Sequence, residues 1–219
     1  ELGGMENLQK ACEMYERSLQ IAKFTAEKDP SEERERDLSI SYNNVGRVCE
    51  KLGGEQNSRK AYEMYKKGLR IAEALAEKQG NAESLTDLII SRHRMGDAYL
   101  NRGDEQNLQT AQDVYERALC IAEPLVMEHE TAENWRLLNI SYNKVGVICE
   151  TRGGAENLRR AYEMYEKGLR IAEFLVKEQR TAESLEDLAA SSMRLCGIIY
   201  DHLERKEDIW TPCALFEKL

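Results

Sequence analysis

Apolar residues recur along this chain at intervals of three and four. Leu38, Tyr42, Val45, Cys49 and Leu52 form one series, and Ala61, Tyr65, Leu69, Ala72 and Leu75 form the next. That spacing matches the turn of an α-helix and gives each segment one buried stripe. Between the stripes the polar punctuation is regular. Ser31, Asn81, Thr131 and Thr181 occupy one position in a fifty-residue period, and each side chain can accept a hydrogen bond from the unpaired N–H groups of a helix's first turn. Glu33, Glu83, Glu133 and Glu183 follow two residues later, where a carboxylate favours the positive end of the helix dipole. From each cap a first helix is expected to run to Gly53, Gly103 or Gly153, glycine being suited to the left-handed conformation that ends a helix. Asn7, Asn57, Asn107 and Asn157 are then expected to open a second helix that ends near Lys28, Lys78, Glu128 and Glu178.

The units align without insertion. GGEQNSRKAYEMYKKGLRIAEALAEKQGNAESLTDL, starting at Gly53, returns as GGAENLRRAYEMYEKGLRIAEFLVKEQRTAESLEDL at Gly153, with further copies at Gly3 and Gly103. Between them stand ISYNNVGRVCE from Ile40, ISRHRMGDAYL from Ile90, ISYNKVGVICE from Ile140 and a decayed ASSMRLCGIIY from Ala190. The expected organisation is one array over 1–219. The second helix of a partial repeat fills 1–30, full repeats fill 31–80, 81–130 and 131–180, and a divergent repeat or cap fills 181–219. In that last segment Thr211 and Pro212 can begin a short helix carrying Ala214, Leu215, Phe216 and Leu219, with Trp210 packed on the last full helix. Small residues recur where helices should cross closely: Gly46, Gly96 and Gly146 in first helices, and Ser18, Gly68, Ala118 and Gly168 in second helices. A helical glycine costs about 1 kcal/mol against alanine, so its return at fixed register implies close packing that offsets the cost.

This pattern resembles the tetratricopeptide repeat, whose first helix is marked by an aromatic residue, a Leu-Gly pair and a tyrosine, and whose second helix is marked by alanines around an aromatic. Tyr42, Val45 and Gly46, then Met95, Gly96 and Tyr99, then Tyr142, Val145 and Gly146 match the first helix. Cys49 stands in place of the first tyrosine, and Arg92 in place of an aromatic. Ala11 and Tyr15, Ala61 and Tyr65, Ala111, Tyr115 and Ala118, and Ala161 and Tyr165 match the second. The likeness covers residues 3 to about 201. It departs from the family in its longer period, and in Cys196, which replaces the first-helix glycine. The resemblance implies an all-α solenoid of antiparallel helix pairs, wound as a right-handed superhelix with first helices on the concave side.

Composition narrows the function classes. A net charge of −9 argues against binding the phosphate backbone of nucleic acid, which needs clustered Lys and Arg. No apolar run long enough to span a bilayer and no signal-peptide pattern are visible, so a soluble cytoplasmic protein without membrane partners is expected. Cys12, Cys49, Cys120, Cys149 and Cys196 fall within apolar helical stripes without a CxxC pair, and are expected to be free buried thiols. His93, His129 and His202 lie on different units with no second ligand at helical spacing, which points to no metal site. His129 is expected near a helix C-terminus, and His202 at the surface. No nucleotide-binding or nucleophile-elbow motif occurs, so neither a cofactor nor enzymatic activity is expected.

On each first helix the face away from the stripe is expected to carry Asn43, Arg47 and Glu50; His93, Asp97 and Leu100; Asn143, Val147 and Glu150; and Met193 and Tyr200, with Gly197 between them. Polar donors interleaved with apolar side chains suit an extended peptide or a helix of a protein partner. The expected function is therefore a non-catalytic scaffold that binds a partner segment in this groove. Two alternatives stand beside it. One is a regulatory repeat arm of a larger signalling enzyme or transcription regulator. The other is self-assembly into a homo-oligomer through an uncovered end at Leu8, Tyr15 and Leu19.

Overall fold

The computed structural model describes residues 2–205, which contain eight α-helices and no strand. In order they are α1 (Leu2–Lys28), α2 (Glu32–Leu52), α3 (Glu55–Gln79), α4 (Ala82–Leu100), α5 (Glu105–Glu128), α6 (Ala132–Arg152), α7 (Ala155–Glu178) and α8 (Ala182–Arg205). Even-numbered helices are the first helices of the repeat, and odd-numbered helices are the second. Trp210, Thr211, Pro212, Ala214, Leu215, Phe216 and Leu219 lie outside the described residues, as does the His202 side chain. Among the described residues no helix is long and apolar enough to cross a membrane.

All four first helices start where a short polar side chain can accept from the backbone. Ser31, Asn81, Thr131 and Thr181 accept the N–H groups of Arg34, Ser84, Asn134 and Ser184 at 3.3, 2.8, 3.1 and 3.1 Å. The second helices begin earlier than the asparagine pattern suggests. Gly54 and Gly154 cap α3 and α7, and Asn57 and Asn157 instead sit inside the first turn, each donating from Nδ2 back to the carbonyl of Gly53 or Gly153 at 2.8 Å. At α5 an aspartate does the capping, because Asp104 accepts the backbone N–H of Asn107 at 2.9 Å. In α1 the helix already runs through Gly4 before reaching Asn7. The turn itself also differs from expectation. Gly53 has φ 68° and ψ −177°, and Gly54 φ 81° and ψ 154°. These are extended backbones at positive φ, a region populated essentially by glycine alone, and not the left-handed helical conformation.

The helices form two compact units, one ending at Leu125 within α5 and the other starting at Val126. In the first unit α2 and α3 are antiparallel. Ser39 Oγ at one end of α2 donates to Gly68 O at 2.9 Å, while Glu50 at the other end meets Tyr65. Successive first helices lie side by side and parallel, tied at Arg36–Asp87 (2.5 Å), Asn43–Ser91 (2.9 Å) and Glu50–Asn101 (2.8 Å). Each tie joins positions about one period apart, so the first unit has the translational order of a helical repeat. The second unit repeats the pattern, with Arg136 on Asp187 at 2.6 Å and Asn143 near Ser191 at 3.4 Å.

The small-residue positions explain the packing. A Cβ on Gly46 would fall 2.5 Å from the Tyr65 ring, on Gly96 2.3 Å from Tyr115, and on Gly146 2.4 Å from Tyr165. Each first-helix glycine is thus the seat of the tyrosine from the second helix that follows. Gly68 and Gly168 leave room for an asparagine amide, that of Asn43 and that of Asn143 respectively. Cys49 and Cys149 are buried and Cys12 is half-buried, but Cys120 and Cys196 are exposed, because their positions on α5 and α8 face outward.

Helix propensity alone would make Gly46→Ala stabilising by about 1 kcal/mol. The added methyl has no room against a fully buried ring, and overpacking of this kind costs about 1–3 kcal/mol. Gly46→Ala is therefore expected to lower stability in urea unfolding, and Gly46→Ala combined with Tyr65→Leu to recover part of the loss.

Candidate functional site

The residues expected on the open face divide into two sets. Glu50, Asp97 and Glu150 are taken up by buried tyrosines. Tyr65 donates to Glu50 at 3.0 Å, Tyr115 to Asp97 at 2.6 Å and Tyr165 to Glu150 at 2.5 Å. All three rings are fully buried, so each hydroxyl needs an internal partner. Burial pushes all three hydroxyls far above the usual tyrosine range, and the neighbouring carboxylate adds to it. The acceptor moves in the middle repeat. Leu100 occupies the position of Glu50 and Glu150, and Asp97, one turn earlier, supplies the carboxylate instead.

Asn43, His93 and Asn143 share a repeat position and face inward. Asn43 donates to Ser91 Oγ at 2.9 Å, and Asn143 donates to Asn139 O at 3.0 Å. His93 is buried at 6 % exposure, with its ring 6.5 Å from that of Tyr115. Arg47, half-buried, bonds Tyr15 Oη and Asn44 Oδ1, both at 3.4 Å. Leu100 and Val147 are half-buried, whereas Met193 and Tyr200 on α8 are well exposed.

The face that stays open lies a few residues around the helix. In the first unit a cleft of about 310 Å3 between α2 and α4 is lined by Ile40, Asn43, Asn44, Arg47, Ile90 and Arg94, with Ser39 and Asp87 at its floor. It brings Asn43 and Arg47 of the expected set together. The floor aspartate is held by the Arg36 guanidinium, which leaves amide and guanidinium donors around two isoleucines. The second unit presents the same positions on α6 and α8, as Ile140, Lys144 and Arg194. Ile40, Ile90 and Ile140 are 38 %, 37 % and 38 % exposed. The signal was present in the repeat as the dipeptide Ile-Ser, and in the row Asn44, Arg94, Lys144 and Arg194.

The large apolar side chains uncovered on α1 are Met5, Met14, Ile21 and Phe24. The expected Leu8, Tyr15 and Leu19 are more enclosed, since Leu19 belongs to the core and Tyr15 receives Arg47. On α7 the matching residues Met164 and Ile171 are buried, and Phe174, though still exposed, meets Trp135 in a tilted ring contact with centroids 5.4 Å apart. Among the described residues no group of three or more His, Cys, Asp or Glu gathers in a metal-binding cluster.

No family model matches the chain, and no curated protein matches it. Among solved structures, a de novo designed helical repeat protein is similar with a TM-score of 0.62 at 19 % identity, over 88 % of this chain and 94 % of that one. A second designed helical repeat protein is 22 % identical over 92 % of this chain and 87 % of its own, with a TM-score of 0.40. At such identities the likeness is one of fold, and the first match supports the helical-repeat architecture.

Two outcomes follow from the tyrosine seats. Asp97→Ala strands the Tyr115 hydroxyl and is expected to cost about 1–3 kcal/mol. Adding Leu100→Glu, which restores the acceptor position used by the other repeats, should return most of that in chemical unfolding. Because the folded-state tyrosine pKa values are raised, their stability contribution is complete below the unfolded value of about 10. It is lost as pH rises above that value toward the folded pKa, at up to about 1.4 kcal/mol per pH unit for each tyrosine. Urea midpoints measured from pH 9 upward should fall, and Tyr115→Phe should make the fall shallower.

Proposed function

We propose that this chain is a non-catalytic protein-interaction module of the tetratricopeptide kind. Its first-helix face takes a peptide segment in which acidic residues flank apolar anchors. The equal exposure of Ile40, Ile90 and Ile140 carries this reading. An isolated exposed isoleucine is unremarkable, but Ile40 and Ile90 line one cleft between α2 and α4, and α6 of the second unit leaves the same position equally open at Ile140. Around that cleft stand the donors and cations Asn44, Arg47 and Arg94, and the second unit carries Lys144 and Arg194 at the matching positions. Glu50, Asp97 and Glu150 are turned to structural use by Tyr65, Tyr115 and Tyr165, and Asp87 by Arg36. The chemistry offered to a ligand in the α2–α4 cleft is therefore apolar contact plus donors.

The net charge of −9 would repel an acidic partner at long range. At physiological ionic strength, charges more than about 8 Å away are largely screened, so the cations lining the cleft dominate at contact. Family resemblance supports the tetratricopeptide reading through the glycine seats at Gly46, Gly96 and Gly146 and the tyrosines that fill them.

The test uses a fluorescein-labelled peptide of alternating aspartate and leucine, with a lysine-and-leucine peptide as control. Saturable anisotropy is expected for the acidic peptide alone. Ile40→Asp together with Arg94→Glu should weaken it by about tenfold or more, or about 1.4 kcal/mol, with helicity unchanged. Equal binding by this variant, or equal binding of both peptides, would remove the cleft from the account. Asn43→Ala, by contrast, is expected to show in unfolding midpoints before it shows in binding.

A further inference from the structure

Cys12 of α1 and Cys49 of α2 meet in the apolar core shared by α1, α2 and α3. Cys49 is fully buried in that core, and Cys12 packs against it half-buried. The repeat shows why they face each other. One period on, the same two positions hold Tyr62 and Tyr99, whose rings meet edge to face at 5.6 Å with hydroxyls 3.4 Å apart. In the first repeat a pair of thiols takes the place of that ring pair, with Cys12 packed against the cluster that holds Cys49. Burial pushes the Cys49 thiol up to about 11, and the nearby Cys12 adds to the shift. Cys12, the more accessible of the two, approaches Glu16 Oε1 at 3.8 Å, and Lys60 of α3 bonds the same carboxylate. A half-buried sulfur thus packs against the core that encloses a fully buried one.

We propose that Cys12 and Cys49 form a redox-modifiable dithiol that closes into an intramolecular disulfide between α1 and α2 on exposure to hydrogen peroxide. The Cys12 thiolate attacks one peroxide oxygen. The O–O bond breaks, Cys12 becomes a sulfenic acid, and the hydroxide released takes up the proton that Cys12 gave to solvent. The Cys49 sulfur then attacks the Cys12 sulfur, the S–O bond breaks, and the departing hydroxide leaves as water with the Cys49 proton. Two thiols are oxidised by two electrons in all, and one peroxide is reduced to two waters. The product pins α1 to α2 across the core and is reopened by exchange with a small dithiol.

The experiment uses the full chain with Cys120, Cys196 and Cys213 replaced by serine, which leaves the pair and the buried Cys149. After limited peroxide treatment, intact mass should fall by about 2 Da, peptide mapping should recover a Cys12–Cys49 linked peptide, and dithiothreitol should reverse both. The thermal midpoint of the oxidised chain should rise. In Cys49→Ala, oxidation should stop at a Cys12 sulfenic acid that dimedone labels, and Cys12→Ser should show neither product. An unchanged mass, a gain of about 16 or 32 Da without a cross-link, a link through Cys149, or no dimedone label in Cys49→Ala would each overturn the proposal.

Discussion

The fold depends on a tyrosine ring packed against a glycine in the middle of a neighbouring helix. Tyr65 on Gly46, Tyr115 on Gly96 and Tyr165 on Gly146 are the same contact made three times. Its energetics are lopsided. A helical glycine costs about 1 kcal/mol, whereas enclosing a tyrosine removes about 150–250 Å2 from water, about 4–6 kcal/mol at ~25 cal/mol per Å2 before ordering costs. The ring wins easily, provided its hydroxyl is not stranded. Glu50, Asp97 and Glu150 meet that condition. Residues that look like an acidic surface are therefore the polar end of the core.

From that contact the rest is assembled sideways. Once a first and a second helix are locked, neighbouring first helices are aligned by polar ties such as Arg36–Asp87 and Asn43–Ser91. Hydrogen bonds specify register more sharply than apolar contact, which is non-directional. A consequence is that polar groups are consumed on the flanks of each first helix, and the cleft through Ile40, Asn44 and Arg47 is what α2 and α4 leave open between them. Binding chemistry is what packing leaves over.

Features settled by nearest neighbours in the chain were legible from the sequence. The caps at Ser31, Asn81, Thr131 and Thr181, and the stripes through Tyr42 and Tyr65, follow from interactions within a few residues. The open face was read with less success. Periodicity places one apolar stripe and takes the opposite side to be solvent, but α2 touches α1, α3 and α4, so its buried arc is much wider than its apolar stripe. Asn43 and Asn143 fall inside that arc, because an amide nitrogen that can donate to a neighbouring serine or backbone carbonyl packs where hydropathy expects water. The recurrence of Ser41, Ser91, Ser141 and Ser191 beside the isoleucines was the available hint that small polar residues mark a contact. The start of the second helices was misplaced for a similar reason, since an asparagine that bonds backward to Gly53 resembles a cap in sequence.

The turn at Gly53 and Gly54 joins two helices whose rotational phase must agree for Tyr65 to find Gly46. Adding one residue to α3 ahead of Tyr65 would turn the helix beyond it by about 100°, bringing Met64 to the glycine in place of the phenol. Length in such a chain is effectively quantised. It can grow or shrink by copying or deleting whole modules, while drift within a module is confined to exchange of side chains, as the shift of the acceptor from the Glu50 position to Asp97 illustrates.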